Sequence, residues 1–265
     1  MRSARGVAEY LVTSGMPVPA SNPRVTFDTV HVDGEVLVVA KPRGRVTLPG
    51  RGHDRDTLLN GVFAEYGAAL ARLGARRDYG LLHRLDRATS GLVAFALTAP
   101  AYDSLRDAFS NRRVEKSYLT IVEGAPRGEG TCRLRLRQMR RGDLLVSVPD
   151  PAGVDAVTHW RVLGRARGRS LVVCRIETGR LHQIRVHLAA LGHPIVGDTV
   201  YRQANDPDTR ASVARSADRS LLLHAWRLRL PHPSGGFLDV EAPPPTALAD
   251  AVRELGLDPA KALRA

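Results

Sequence analysis

Asp86 stands between Arg84 and Arg87 and follows Leu81, Leu82 and Leu85, company that gives a carboxylate a chemistry. Apolar neighbours remove water while cations oppose neutralisation, so a partly desolvated yet ionised aspartate is expected, the form suited to nucleophilic attack or general-base work. Taken alone, the pattern equally fits an ordinary loop ion pair. Arg185 adds to it, lying four residues after Leu181 and three before Leu188 on the border of an apolar stripe of Leu181, Ile184, Leu188 and Leu191. Turned inward, its guanidinium needs an anion, and Asp86 is the expected partner. Turned outward, its stem covers the stripe and its head reaches water. His182, His187 and His193 do not make a metal site by spacing, since the first two fall five apart on different faces of the expected helix. Gly44, Gly50 and Gly52 lack the full phosphate-loop pattern, so neither a metal nor a nucleotide cofactor is expected.

The elements that must hold these residues alternate between strand and helix. Glu35 to Ala40 reads as a buried strand closed by the turn Lys41-Pro42-Arg43-Gly44. Leu58, Leu59, Val62, Phe63, Tyr66 and Leu70 recur at helical spacing behind the capping pair Asp56-Thr57. The Asp86 segment has no period and runs into a core strand from Gly91 to Leu97, so it is expected as a loop at a strand's edge. A helix carrying Leu105, Ala108 and Phe109 starts near Pro100, and a strand from Tyr118 to Val122 follows. Residues 130 to 176 read as short alternating strands, the Arg185 helix begins near Leu181 and stops at Gly192 and Pro194, and residues 202 to 219 are expected to be a polar insertion. Strand character returns at Leu221 to His224 and at Trp226 to Leu230, with Phe237 to Val240 pairing beside them and a short helix starting near Thr246. This is one α+β body on a mixed, mainly antiparallel sheet with flanking helices, divisible into two lobes near residues 123 to 130.

Composition narrows the function classes. Of 265 residues, 43% are hydrophobic, enough for a sizeable core, and 39 lysines and arginines against 27 acidic residues give a formal charge of +12. Such a field attracts polyanions, nucleic acid first, although the charge is scattered and also suits a solubilising surface. Two cysteines, Cys132 and Cys174, make no disulfide framework, and no apolar run reads as a signal peptide or a membrane span. A reducing, cytoplasmic setting is expected.

The blocks His83-Arg84-Leu85-Asp86-Arg87-Ala88-Thr89-Ser90-Gly91 and Thr178-Gly179-Arg180-Leu181-His182-Gln183-Ile184-Arg185-Val186-His187 resemble the two signatures of the RluA-type family of RNA pseudouridine synthases. The resemblance continues through Leu191 to Asp198, Leu221 to Ala225, the Lys-Pro-x-Gly turn of Glu35 to Gly44, and Glu115-Lys116-Ser117-Tyr118. It implies the pseudouridine synthase fold with a central catalytic cleft, a catalytic domain over residues 31–245, an arm over 1–30 that does not resemble an S4 RNA-binding domain, and a short helix or tail over 246–265. It implies Asp86 as the catalytic aspartate, Arg185 as its paired arginine and Tyr118 as the active-site tyrosine, stacking on the uracil and assisting proton removal from C5. Arg84, Arg180, His182 and Gln183 are expected to bind substrate, with Arg84 holding the flipped nucleotide or filling the space it vacates.

The implied reaction breaks the bond between uracil N1 and the ribose, turns the base and joins C5 to the sugar, without redox chemistry. Asp86 either attacks the sugar or removes a sugar proton. The expected partner is structured RNA, rRNA or tRNA, with no membrane, no obligate protein partner and a monomeric state. Arg133, Arg135, Arg137, Arg140 and Arg141 form a basic strip suited equally to phosphate contacts or to a solvated strand face. Two rival readings remain: a catalytically silent RNA-binding protein with the same fold, and a glycosidic-bond hydrolase. The hydrolase normally needs two positioned carboxylates, whereas only Asp86 has such a setting.

Overall fold

The computed structural model describes residues 17–201 and 220–258. The expected insertion at 202–219 and most of the arm lie outside them. Eleven strands are named β1 (Asp28–Val32), β2 (Val36–Lys41), β3 (Ser90–Ala96), β4 (Glu115–Glu123), β5 (Glu129–Cys132), β6 (Leu136–Arg141), β7 (Leu144–Pro149), β8 (Thr158–Ala166), β9 (Arg169–Ile176), β10 (Leu223–Pro231) and β11 (Phe237–Glu241). Nine of them form one sheet in the order β1-β2-β3-β10-β4-β9-β8-β5, with β11 added beside β10, and β6 and β7 make a separate hairpin. Strands on both sides of the suggested division at 123 to 130 share this sheet. The expected start of the catalytic domain at residue 31 falls inside β1.

Among the described residues the pairings are antiparallel except for β3 with β10, which run parallel and meet only at Ser90–His224 and Gly91–Ala225. That contact requires glycine: Gly91 has φ +117, and a Cβ there would lie 2.2 Å from the Ala225 carbonyl oxygen. β10 is a single strand where the sequence suggests two pieces, because a bulge between Ala225 and Arg227 absorbs Trp226 without ending the ladder.

Side-chain alternation lets both faces of the sheet carry a core. On β4, Tyr118 and Val122 join the cluster of Leu58, Leu59, Leu105 and Phe109, while Leu119 and Ile121 face Trp226, Leu248 and Val252. The first face is covered by α1 (Leu58–Leu73) and α2 (Ala99–Ser110), the second by α4 (Thr246–Glu254). Each fully buried leucine in these layers contributes about 2 kcal/mol of hydrophobic stabilisation. Thr57 caps α1 reciprocally with Asn60, and Thr98 caps α2 just before Pro100, as the sequence suggests.

The helix bearing Arg185, α3, spans Gln183–Ala190, shorter than the leucine stripe implies. His182 is left-handed at φ 53 and breaks the helical path, so Leu181 belongs to the preceding turn, and Leu191 is an exposed cap residue. The stripe therefore overcounts by one leucine at each end, and His182 and His187 do not share a helix.

Candidate functional site

The Asp86 segment crosses from the buried Leu82 and His83 to the start of β3, and the turn after β2 holds it in place. Thr47 Oγ1 donates to the Leu85 carbonyl at 2.8 Å and accepts from the Leu85 amide at 3.2 Å. The Gly44 amide donates to the Arg87 carbonyl at 2.7 Å, and Arg87 Nε donates back to the Gly44 carbonyl at 3.1 Å. Lys41, only 1% exposed, donates from Nζ to the carbonyls of Arg45 at 2.8 Å, Pro42 at 3.0 Å and Arg87 at 3.5 Å. Burial lowers its pKa to about 7, with Asp86 opposing that shift and Arg45 adding to it. The backbone on both sides of Asp86 is thus fixed, while its side chain remains 24% exposed at the cleft.

Across the cleft, Gln183 ties together the turn before α3. Its Oε1 accepts from Thr178 Oγ1 and the Arg180 amide, and its Nε2 donates to the Val157 carbonyl and Thr158 Oγ1. Gln183, expected to bind substrate, borders the cleft while its amide bonds within the protein. Arg180 borders the cleft too and donates from Nε to the Asp155 carbonyl at 3.1 Å.

Arg185 is buried, as an inward-facing stripe residue should be, yet its fork closes on Asp198 rather than on Asp86. Nε lies 2.7 Å from Asp198 Oδ2 and Nη2 lies 2.9 Å from Oδ1. Asp198 Oδ1 also accepts from the amides of Val200 and Tyr201, which offsets the desolvation of so deep a carboxylate. Burial works against both charges, and the bonded pair outweighs it: the Arg185 pKa is raised and that of Asp198 is lowered. Asp86 acts on Arg185 only through space. The Arg185 guanidinium also lies over the Tyr201 ring, 5.1 Å from its centre.

Asp86 Oδ2 instead has His182 Nε2 as its neighbour, at 3.9 Å. The Ser147 amide donates to the Tyr201 hydroxyl oxygen at 2.9 Å, and that hydroxyl is hydrogen-bonded to His182 Nδ1 at 2.8 Å, which leaves Nε2 turned toward Asp86. Burial lowers the His182 pKa, with Asp86 opposing.

The remaining cleft wall comes from the sheet. Ala225 pairs with both Gly91 and Tyr118, and Tyr118 pairs with Cys174, so one row of residues crosses β3, β10, β4 and β9 beneath the Asp86 loop. Tyr118 borders the cleft with a ring that is almost wholly buried. Burial, and then Asp86, push its pKa upward, so the surroundings oppose rather than assist a phenolate. Beside it lie His83, stacked on Phe109 at 5.2 Å, and Lys116. The cleft encloses about 470 Å³, and its lining includes Arg84, Asp86, Tyr118, Arg180, His182 and Arg185.

The structure therefore gathers every expected catalytic and substrate-binding residue around one cleft, while dividing the basic strip. Arg135 pairs with Asp155, and Arg137 with Asp150, whereas Arg140 and Arg141 close the exposed end of β6 and Arg133 is exposed before it. Gln138 and Leu145 bring the β6–β7 hairpin to the cleft rim. Asp198, Tyr201, Lys41 and Lys116 received no role in the sequence reading. A buried guanidinium demands an anion, but nothing in the sequence sets Asp198 above Asp86 as that anion.

Comparison with known proteins accounts for this arrangement. Residues 35–190 match the family model described as RNA pseudouridylate synthase. The chain is 35% identical over 240 residues to the ribosomal large subunit pseudouridine synthase D of Zymomonas mobilis, covering 89% of this chain and 75% of that protein. With the Xanthomonas campestris protein of the same name the identity is 38% over 244 residues, covering 90% and 72%. Against the protein of that name from Neisseria meningitidis serogroup A, the chain spans 62% of its length. Among solved structures, human RNA pseudouridylate synthase domain containing 4 superposes with a TM-score of 0.68 at 24% identity, over 87% of this chain and 94% of that one. Human RNA pseudouridylate synthase domain containing 1 gives 0.65 at 26%, over 84% and 86%. With its signature blocks facing each other across one cleft, the chain belongs to the RluA-type family of RNA pseudouridine synthases, isomerases that act on RNA.

Proposed function

We propose that this enzyme isomerises uridine to pseudouridine in ribosomal RNA, with Asp86 as the carboxylate that acts on the ribose. The observation that carries the reading is the placement of Asp86: its backbone is fastened on both sides by Thr47, Gly44 and Lys41, and its side chain faces a cleft of about 470 Å³. A rigidly held carboxylate beside the sugar supplies the orientation that such a rearrangement needs. Attack on the sugar carbon and removal of a sugar proton both start from this placement. Tyr118 serves as the stacking floor for the base, and its raised pKa argues against a standing role as a phenolate base. The rRNA target is favoured because several relatives are named for the large ribosomal subunit.

A uridine stacked in RNA must leave the helix to enter the cleft, at a cost of a few kcal/mol in lost stacking. Exposed Arg84, on the loop that carries Asp86, is placed to hold the displaced strand.

The test is to incubate the purified chain with large-subunit rRNA and, separately, tRNA transcripts, digest the RNA and separate the nucleosides. The product has the mass of uridine and a different retention time. Pseudouridine in the rRNA digest, absent with D86N while RNA affinity is preserved, is the expected result. Modification of tRNA alone would overturn the target, and undiminished product from D86N would overturn the role of Asp86. RNA binding without product in the wild type would favour the silent RNA-binding protein.

A further inference from the structure

Lys116 is a cation at the cleft to which the catalytic reading gives no task. It lies on β4 two residues before Tyr118, so strand alternation puts both side chains on the cleft face, while Glu115 and Ser117 face a different pocket with Arg227 and Arg229. Among the described residues, no carboxylate comes within ion-pair distance of its ammonium. The neighbouring acidic groups are engaged elsewhere: Glu115, beside it in the chain, with Arg229 at 2.9 Å, and Glu177, next to its β9 partner Ile176, with His159 at 2.8 Å and Arg112 at 3.6 Å. Its Nζ lies 5.8 Å from the centre of the Phe109 ring. Opposite is Gly179, where a Cβ would come 4.0 Å from Nζ. Burial, and then Arg112, lower its pKa to about 8, in keeping with a desolvated cation that lacks an anion.

We propose that Lys116 binds the edge of the uracil stacked on Tyr118 and stabilises the negative charge that the base carries when it parts from the sugar. This rests on the pseudouridine synthase reading above and adds to it the group that receives the leaving base. When the N1–C1′ bond breaks, its electron pair leaves with the uracil and spreads over N1, O2 and O4. The ammonium beside the ring stabilises that anion without transferring a proton. When C5 bonds to C1′ the pair is consumed, the C5 proton departs and N1 acquires one, so the lysine ends as it began. An oriented cation in a dry site has its greatest effect where charge develops, which places its contribution in the rate of bond breaking more than in RNA affinity.

The test uses single-turnover reactions at saturating RNA with two substrates, one carrying uridine and the other 5-fluorouridine at the target position, followed by loss of the starting nucleoside. Fluorine withdraws electrons and makes uracil a better leaving group, which lessens the need for outside stabilisation. K116M is expected to slow uridine by about 100-fold and 5-fluorouridine by clearly less. K116R, which keeps a cation, is expected to recover part of the loss. K116Q and thermal melts of all variants separate this outcome from misfolding. Equal losses with both substrates, or a defect that added RNA restores, would reassign Lys116 to phosphate binding and overturn the proposal. Undiminished rates in K116M would also overturn it. A wild-type enzyme inactive on every RNA would instead strike the reading on which the proposal stands.

Discussion

Arg185 touches Asp198 with both arms of its fork and Tyr201 with its face, so beyond a through-space attraction its influence on Asp86 passes through the residues it orders. This divides two substitutions that a direct Asp86 pair would leave alike. D198A removes the bonded anion and leaves a buried guanidinium, and a loss of about 3–5 kcal/mol in unfolding free energy is expected by chemical denaturation. R185K keeps the charge but cannot span both oxygens, so Tyr201 and then His182 lose their support. Because a misplacement of about 1 Å costs roughly 100-fold, its single-turnover rate at saturating RNA is expected to fall by about that factor. An R185K rate within a few-fold of wild type would show that the Asp198 pair serves stability alone. The place of Arg185 beside Ile184 and Leu188 left it open to turn inward or outward, and the structure buries it. Its partner was not legible, because Asp86 and Asp198 are equally acidic and the choice is made by the turn that brings Asp198 back under α3.

The turn after β2 carries its consequence in Lys41, which donates to three carbonyls from a fully buried site. Its pKa falls from 10.5 to about 7 on folding, so between those values the unfolded chain binds more protons than the folded one, and stability rises with pH across that window. K41M is expected to lower stability by about 1–3 kcal/mol near neutrality, since the carbonyls lose their donor. It should also flatten the rise seen in denaturation curves at pH 7, 8, 9 and 10, leaving the smaller part that belongs to Lys116. The same slope in both proteins would contradict the assignment. The Lys-Pro-x-Gly turn itself was legible, as were the Thr57 cap, the Pro100 start and the apolar run of β2, because each depends on residues adjacent in the chain. The start of α3 was not, since a histidine in left-handed geometry leaves no mark on a leucine stripe. The Trp226 bulge was hidden in the same way, being defined by strands far away in sequence.

Net charge was legible only as a sign, and the fold decides where it acts. Arg135 and Arg137 are held by aspartates, whereas Arg140 and Arg141 stand exposed on a hairpin whose other residues reach the cleft rim. Replacing each of the latter with alanine is expected to weaken binding across RNA sequences and to lower the slope of log affinity against log salt by about one per arginine. The same change at Arg135 should do less, and equal slopes for all three variants would refute the division. The sheet order was the part least open to the sequence, since periodicity identifies strands without naming their neighbours. In that order β10 lies between β3 and β4, both of which precede it by a long stretch of chain. During synthesis the Asp86 loop and the Tyr118 strand therefore emerge with the gap between them unfilled, and their facing edges stay unpaired until β10 is made. A nascent chain stalled before residue 223 would thus expose two open strand edges, with the Asp86 loop and the Tyr118 strand not yet joined through the sheet.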